Sequence, residues 1–114
     1  MDKIKVGVVG YGTIGKRVAD LVMKQKDMEL VGITGHSYNW RMETANDKGI
    51  PIYMMESEDG EGSADDFKNN KIKLAGNVQD LLKQVNVIVD ATPKKVGKEN
   101  LEKYYKPAKV KAIF

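Results

Sequence analysis

Six residues, Gly10-Tyr11-Gly12-Thr13-Ile14-Gly15, constrain the fold more than any others in this chain. Before them, Ile4-Lys5-Val6-Gly7-Val8-Val9 is a short β-branched run ending at glycine, the pattern of a buried strand. After them, Ile14, Val18, Leu21 and Val22 recur at helical spacing, with Lys16, Arg17, Asp20 and Lys24 on the opposite face. The spacing predicts a helix from about Thr13 to Lys26 and a second strand over Met28 to Thr34. Strand, helix and strand without a hairpin turn make one βαβ unit, and that unit requires parallel pairing.

In this context G-x-G-x-x-G acquires a chemical meaning that it lacks alone. Gly10 permits the tight turn, Gly12 lets a pyrophosphate approach the backbone, and Gly15 lets helix and strand pack closely. Amides near Thr13 and Ile14, at the positive end of the helix, are placed to hold phosphates. Gly10, Gly15 and Lys16 also fit G-x-x-x-x-G-K, but Arg17 stands where a P-loop needs Ser or Thr. Without that hydroxyl the magnesium-bound phosphates lose a ligand, so a P-loop nucleotidase is rejected.

The remainder alternates in the same way. Asn39 to Lys48 reads as a weak, polar helix, and Ile50 to Met54 as a third strand. Glu56 to Asp66, with six acids and no base, reads as a surface loop closing in a short helical turn near Phe67. Ile72 to Ala75 is a candidate minor strand, and Asn77 caps a helix over Val78 to Gln84. Val85 to Ala91 is the next buried strand, Gly97 to Tyr105 a helix stopped by Pro107, and Val110 to Phe114 a last strand. The expected fold is therefore α/β: a Rossmann-type, doubly wound, mainly parallel sheet with helices on both faces, in strand order 3-2-1-4-5. At 114 residues one domain is expected.

An acidic residue about 20 positions beyond the glycines would bond the adenosine ribose 2′-hydroxyl and repel a 2′-phosphate. The sequence has Thr34-Gly35-His36-Ser37 there, with no carboxylate before Glu43 and with Arg41 nearby. Hydroxyls of Thr34 and Ser37, with charge from His36 or Arg41, favour NADP over NAD. Thr92 follows a strand at its carboxyl end, where it is expected to meet the nicotinamide-side ribose or the pyrophosphate. Lys94 and Lys95 read as solvated, and Trp40, Tyr104 and Tyr105 as packing or surface residues.

The chain has no cysteine and one histidine, which leaves no thiol nucleophile, disulfide or histidine-based metal site. Its net charge of +3, from 19 basic and 16 acidic residues, is too mild to argue for nucleic acid. No run approaches the roughly 20 apolar residues of a membrane span, and Met1-Asp2-Lys3 leads into a strand with no secretory segment. A cytoplasmic, metal-free protein with a dinucleotide as its partner is expected.

Val6-Gly7-Val8-Val9-Gly10-Tyr11-Gly12-Thr13-Ile14-Gly15-Lys16-Arg17-Val18-Ala19 resembles the start of archaeal-type (class II) glyceraldehyde-3-phosphate dehydrogenase. Met28 to Thr34 resembles its second strand, Asp90 to Leu101 its strand-to-helix turn, and Tyr105-Lys106-Pro107 through Ile113 continues in register. The stretch 35–76 is the least alike. The resemblance implies oxidation of glyceraldehyde 3-phosphate with phosphate and NAD(P), or the reverse, by a homotetrameric glycolytic enzyme. It also implies that Thr13 and Ile14 touch the cofactor. The family's nucleophilic cysteine, general-base histidine and phosphate-binding residues lie in a following catalytic domain. None is in this sequence, and neither is the glycine pair that usually follows the last strand. Gly35 replaces the family's basic residue after the second strand. A chain that stops in its last strand reads as a fragment or truncated gene, binding the dinucleotide without catalysis. Two alternatives stay open: the N-terminal domain of another reductase, of the dihydrodipicolinate reductase or homoserine dehydrogenase type, and a stand-alone sensing or assembly module.

Overall fold

A computed structural model describes residues 3–55 and 64–114. The chain runs β1 (Ile4–Val9), α1 (Thr13–Met23), β2 (Met28–Gly35), α2 (Trp40–Asp47), β3 (Ile52–Met54), α3 (Ala64–Asn69), β4 (Gly76–Asn77), α4 (Val78–Leu82), β5 (Val87–Asp90), α5 (Lys94–Asn100), α6 (Lys106–Ala108) and β6 (Lys111–Ile113). A π-helical segment, Leu101–Tyr105, joins α5 to α6. The six strands form one sheet in the order β4-β3-β2-β1-β5-β6, and every pairing is parallel. This is the expected 3-2-1-4-5 order with the minor strand added outside β3.

Successive strand residues face opposite sides of a sheet, and the core divides accordingly. Val8, Ile33 and Ile52 join Ala19, Met42, Ala45 and Phe67 beneath α1, α2 and α3. Val9, Tyr53 and Ile88 join Val78, Leu81, Tyr104 and Tyr105 beneath α4 and the π-helical segment. Val8, Val9, Ile33 and Ile88 are fully buried, each worth about 1.5–3 kcal/mol of transfer free energy. Helices on both faces cover the carboxyl halves of β1 and β2, which accounts for their continuous apolar character, while β6 at the edge keeps Lys111 and Ile113 exposed.

Local chemistry sets the helix starts. The Asn39 side chain accepts from the amides of Arg41 and Met42, so α2 begins one residue after it. Asn77 and Asp80 form a reciprocal capping box at α4.

Four expectations need correction. α1 ends at Met23, not Lys26, because the Lys24 and Gln25 amides turn back onto the Leu21 and Val22 carbonyls. The minor strand is Gly76–Asn77 rather than Ile72–Ala75, since Ile72 tucks into the core and only at Ala75 does the chain reach β3. Asp65 and Asp66 belong to α3; the part of the acidic segment over 56–63 lies outside the described residues. Pro107 does not stop the last helix. The turn before it widens, so that the Lys106 amide donates five residues back to the Leu101 carbonyl. A proline ring normally clashes with the carbonyl four residues back, and a π turn relieves that crowding.

Candidate functional site: a cleft at the strand switch

The sheet order reverses at β1, whose neighbours are β2 and β5. Chain leaving β1 and β5 turns to opposite faces, and this opens a crevice at the carboxyl ends of the strands. A cleft of about 670 Å³ lies there. One side is formed by Gly10, Tyr11 and Gly12, the next by Thr34 to Ser37 with Asn39, Arg41 and Met42, and the far side by Ala91 to Pro93 with Val96, Glu99, Asn100, Lys103 and Tyr104.

The glycine turn is shaped by contact on three sides. Gly10 has φ +88°, and a Cβ there would stand 2.8 Å from Thr92 Cγ2. Its amide donates to Thr34 Oγ1 at 3.2 Å, so a hydroxyl on β2 holds the turn of β1. A Cβ on Gly15 would lie 1.8 Å from the Gly10 carbonyl oxygen, which is how closely α1 crosses the turn. At Gly12 a Cβ would meet nothing within 4 Å: that direction is open. The first turn of α1 has neither a side-chain cap nor an acidic residue. Its leading amides, which have no acceptor within the helix, are therefore available to an anion. Open space over Gly12 and uncapped amides fit a pyrophosphate.

The other expected residues fall into two groups. Gly10, Gly12, Thr34, Gly35, His36, Ser37 and Thr92 come together on the cleft walls. Thr13, Ile14 and Gly15 do not line it; Gly15 is buried behind the turn and the Ile14 side chain is 67% exposed. Gly35 leaves room for the Met42 sulfur, which would stand 2.4 Å from a Cβ there. His36 and both Lys94 and Lys95 are exposed.

Arg41 has a larger place than its sequence position suggests. Its Nη2 donates to Thr13 Oγ1 at 3.4 Å, linking α2 to α1 across the mouth of the cleft. The guanidinium carbon lies 4.7 Å from the centre of the Trp40 ring. Its Nε is buried without a hydrogen-bond partner among the described residues.

Beyond β5, the sequence reading missed a buried polar network. Asp90, 4% exposed, accepts from the Thr92 amide at 2.9 Å and from the Thr92 hydroxyl. Its second oxygen accepts from Asn100 Nδ2 at 3.1 Å and from the Tyr105 hydroxyl at 2.5 Å. The two Thr92 bonds make a local Asx-type turn, and Asp-x-Thr after a strand was a usable signal for it. Asn100 and Tyr105 arrive from the next helix, and no local pattern announces them. Tyr105, read as packing or surface, is both core and hydrogen-bonded; burial first, then the Asp90 carboxylate, pushes its phenol well above the ordinary tyrosine range.

Tyr11 lies at the edge of the cleft with its ring in the core, 4% exposed. Its hydroxyl has no hydrogen-bond partner among the described residues. Burial raises its pKa, with the Lys48 charge offsetting part of the rise. An unpaired buried hydroxyl costs stability, so Tyr11→Phe is expected to stabilise the chain by about 1 kcal/mol in urea unfolding. A loss of stability would mean that the hydroxyl is satisfied.

Strand order, glycine turn and cleft together define an NAD(P)-binding Rossmann domain. A family described as "Dihydrodipicolinate reductase, N-terminus" matches residues 4–114, and the chain belongs to it. It is similar to glyceraldehyde-3-phosphate dehydrogenase of Pyrobaculum calidifontis, 45% identical over 111 residues, covering 97% of this chain and 31% of that protein. The enzyme of the same name from Thermococcus kodakarensis is 46% identical over 112 residues, covering 98% and 32%. That of Archaeoglobus fulgidus is 44% identical over 114 residues, covering 100% and 32%. The chain thus spans about a third of the length of the curated relatives it matches. Among solved structures, apo scyllo-inositol dehydrogenase from Lactobacillus casei has the same fold, with TM-score 0.67 and 16% identity over 97% of this chain and 27% of that one. GenD2 of gentamicin A biosynthesis, solved with NAD, superposes with TM-score 0.59 at 15% identity over 98% and 26%. Among the described residues no helix is long and apolar enough to cross a membrane.

Proposed function

We propose that the chain is the dinucleotide-binding domain of a phosphorylating, glyceraldehyde-3-phosphate dehydrogenase-type enzyme of the cytoplasm, favouring NADP over NAD. Identities of 42–46% over nearly the whole chain support this over a dihydrodipicolinate-type reductase, which rests on the family's name. In this reading Gly10, Gly12 and the amides of Thr13 and Ile14 hold the pyrophosphate, Gly15 packs α1 against the turn, and Thr34 fixes the turn above it. Gly35, His36, Ser37 and Arg41 surround the adenosine ribose, and Thr92 faces the nicotinamide half. When bound, the nicotinamide accepts or donates a hydride; this chain holds and orients it. With no cysteine to form a thioester, these 114 residues are assigned binding and not turnover.

The NADP preference is carried by Arg41. Among the described residues it is the one arginine on the cleft wall, on the side where β2 ends, and none of those that line that side is a carboxylate; Glu99 is across the cleft. A guanidinium there would pair with a 2′-phosphate. Calorimetric titration should show tighter binding of NADP than of NAD. Arg41→Ala should weaken NADP by roughly tenfold and leave NAD nearly unchanged, the loss of one charge-assisted contact. Equal affinities in the unsubstituted chain would sink the preference while leaving the dinucleotide site in place.

A further inference from the structure

Asp90 is a buried carboxylate with no cationic partner: the side-chain ion pairs among the described residues join Asp20 and Glu102 to lysines. Burying such a group is costly unless every lone pair is used. Here four donors converge on it, from Thr92, Asn100 and Tyr105. Because one carboxylate oxygen is held by Asn100 and Tyr105, the other is fixed towards Thr92.

That arrangement determines what Thr92 can offer. Its hydroxyl proton is committed to Asp90, so only lone pairs of Oγ1 remain for the cleft that Thr92 lines. Its methyl group faces Gly10, in the space a Cβ there would need, while the bond to Asp90 holds the hydroxyl on the other side. An oxygen that can only accept suits a donor such as a ribose hydroxyl; it has nothing to offer the oxygens of a phosphate. Donation to a carboxylate also polarises the hydroxyl and strengthens it as an acceptor.

We propose that Asp90, clamped by Tyr105 and Asn100, is a positioning residue that makes Thr92 a dedicated acceptor for a ribose hydroxyl of the nicotinamide half of the dinucleotide. This rests on the reading of the cleft as a dinucleotide site. It also gives the π-helical segment a role, since the wide turn places adjacent Tyr104 and Tyr105 on the cleft wall and on Asp90 respectively.

The test compares NADP with 2′,5′-ADP, which carries the adenosine half and its 2′-phosphate but no nicotinamide ribose. Thr92→Val should weaken NADP about fivefold to tenfold, the worth of one hydrogen bond, and leave 2′,5′-ADP within about twofold. Thr92→Ser, which keeps the hydroxyl, should restore NADP binding. Tyr105→Phe, which frees one end of the carboxylate, should weaken NADP about threefold in the same selective way. Equal losses on both probes would mean that the network serves stability alone and would overturn the proposal, as would an unchanged NADP affinity in Thr92→Val. A Tyr105→Phe chain with unaltered selectivity would remove the positioning role. If the unsubstituted chain binds neither probe, the dinucleotide reading itself falls. The 2′,5′-ADP titration also counts folded sites, so a variant that unfolds is recognised as such.

Discussion

Gly12→Val should give a chain that folds and no longer holds a dinucleotide, with affinity for NADP(H) lowered by at least about 100-fold. Vacant space over residue 12 is the reason. A Cβ at residue 12 would meet no atom of the other described residues within 4 Å, and φ −87° is ordinary for a branched residue. What it fills is the approach to the uncapped amides of α1, where the pyrophosphate is assigned. Valine is a poorer N-cap, which costs about 1 kcal/mol and a few degrees of melting temperature. Calorimetry and a thermal melt on one sample separate the two effects. Unchanged affinity would place the ligand elsewhere.

Gly15→Ala should do the reverse, destabilising the fold from a position that does not line the cleft. Alanine in a helix gains up to about 1 kcal/mol over glycine. Against that, the new methyl would stand 1.8 Å from the Gly10 carbonyl oxygen, a backbone atom of the turn whose own amide is held by Thr34. No rotamer relieves such a contact, so α1 or the turn must move. The clash wins, with an expected net loss of roughly 3 kcal/mol. For a chain of this size that corresponds to a melting temperature lower by roughly 10–20 °C. A melt equal to or above that of the unsubstituted chain would show that α1 is free to shift. Two glycines three residues apart thus separate: one is reserved for the ligand and the other for the fold.

That separation was legible in the sequence because it depends on local spacing. Strand β1, the turn and α1 lie within twenty residues, and their periodicity and glycine positions describe one another. The helix cap at Asn77 was legible for the same reason, whereas Asn39 was read as part of its helix and is in fact the cap. What could not be read depends on contacts between distant residues. Thr34 was read as a hydroxyl suited to a 2′-phosphate, and its second contact, accepting from the Gly10 amide 24 residues earlier, had no local sign. Tyr105 looked like packing, and its hydroxyl reaches Asp90 across 15 residues. Arg41 was noted for its charge, but its bridge to Thr13 follows from how α2 lies over α1. Pro107 was misread because the rule that proline ends a helix assumes the i−4 pattern, and the preceding turn had abandoned it.

The position of β1 in the sheet bears on how the chain acquires its structure. β1 pairs on one side with β2, Val6 beside Leu30, and on the other with β5, Val6 beside Val87. The first closure joins residues 24 apart and can form early. The second must close a loop of about eighty residues, and the entropy of that closure is spent before β5 returns any burial. The cleft straddles both seams. Its β2 wall belongs to the early unit, and its Ala91–Pro93 wall arrives with the late one. A nucleotide that needs both walls would bind only the finished chain and would draw the slow closure forward by mass action.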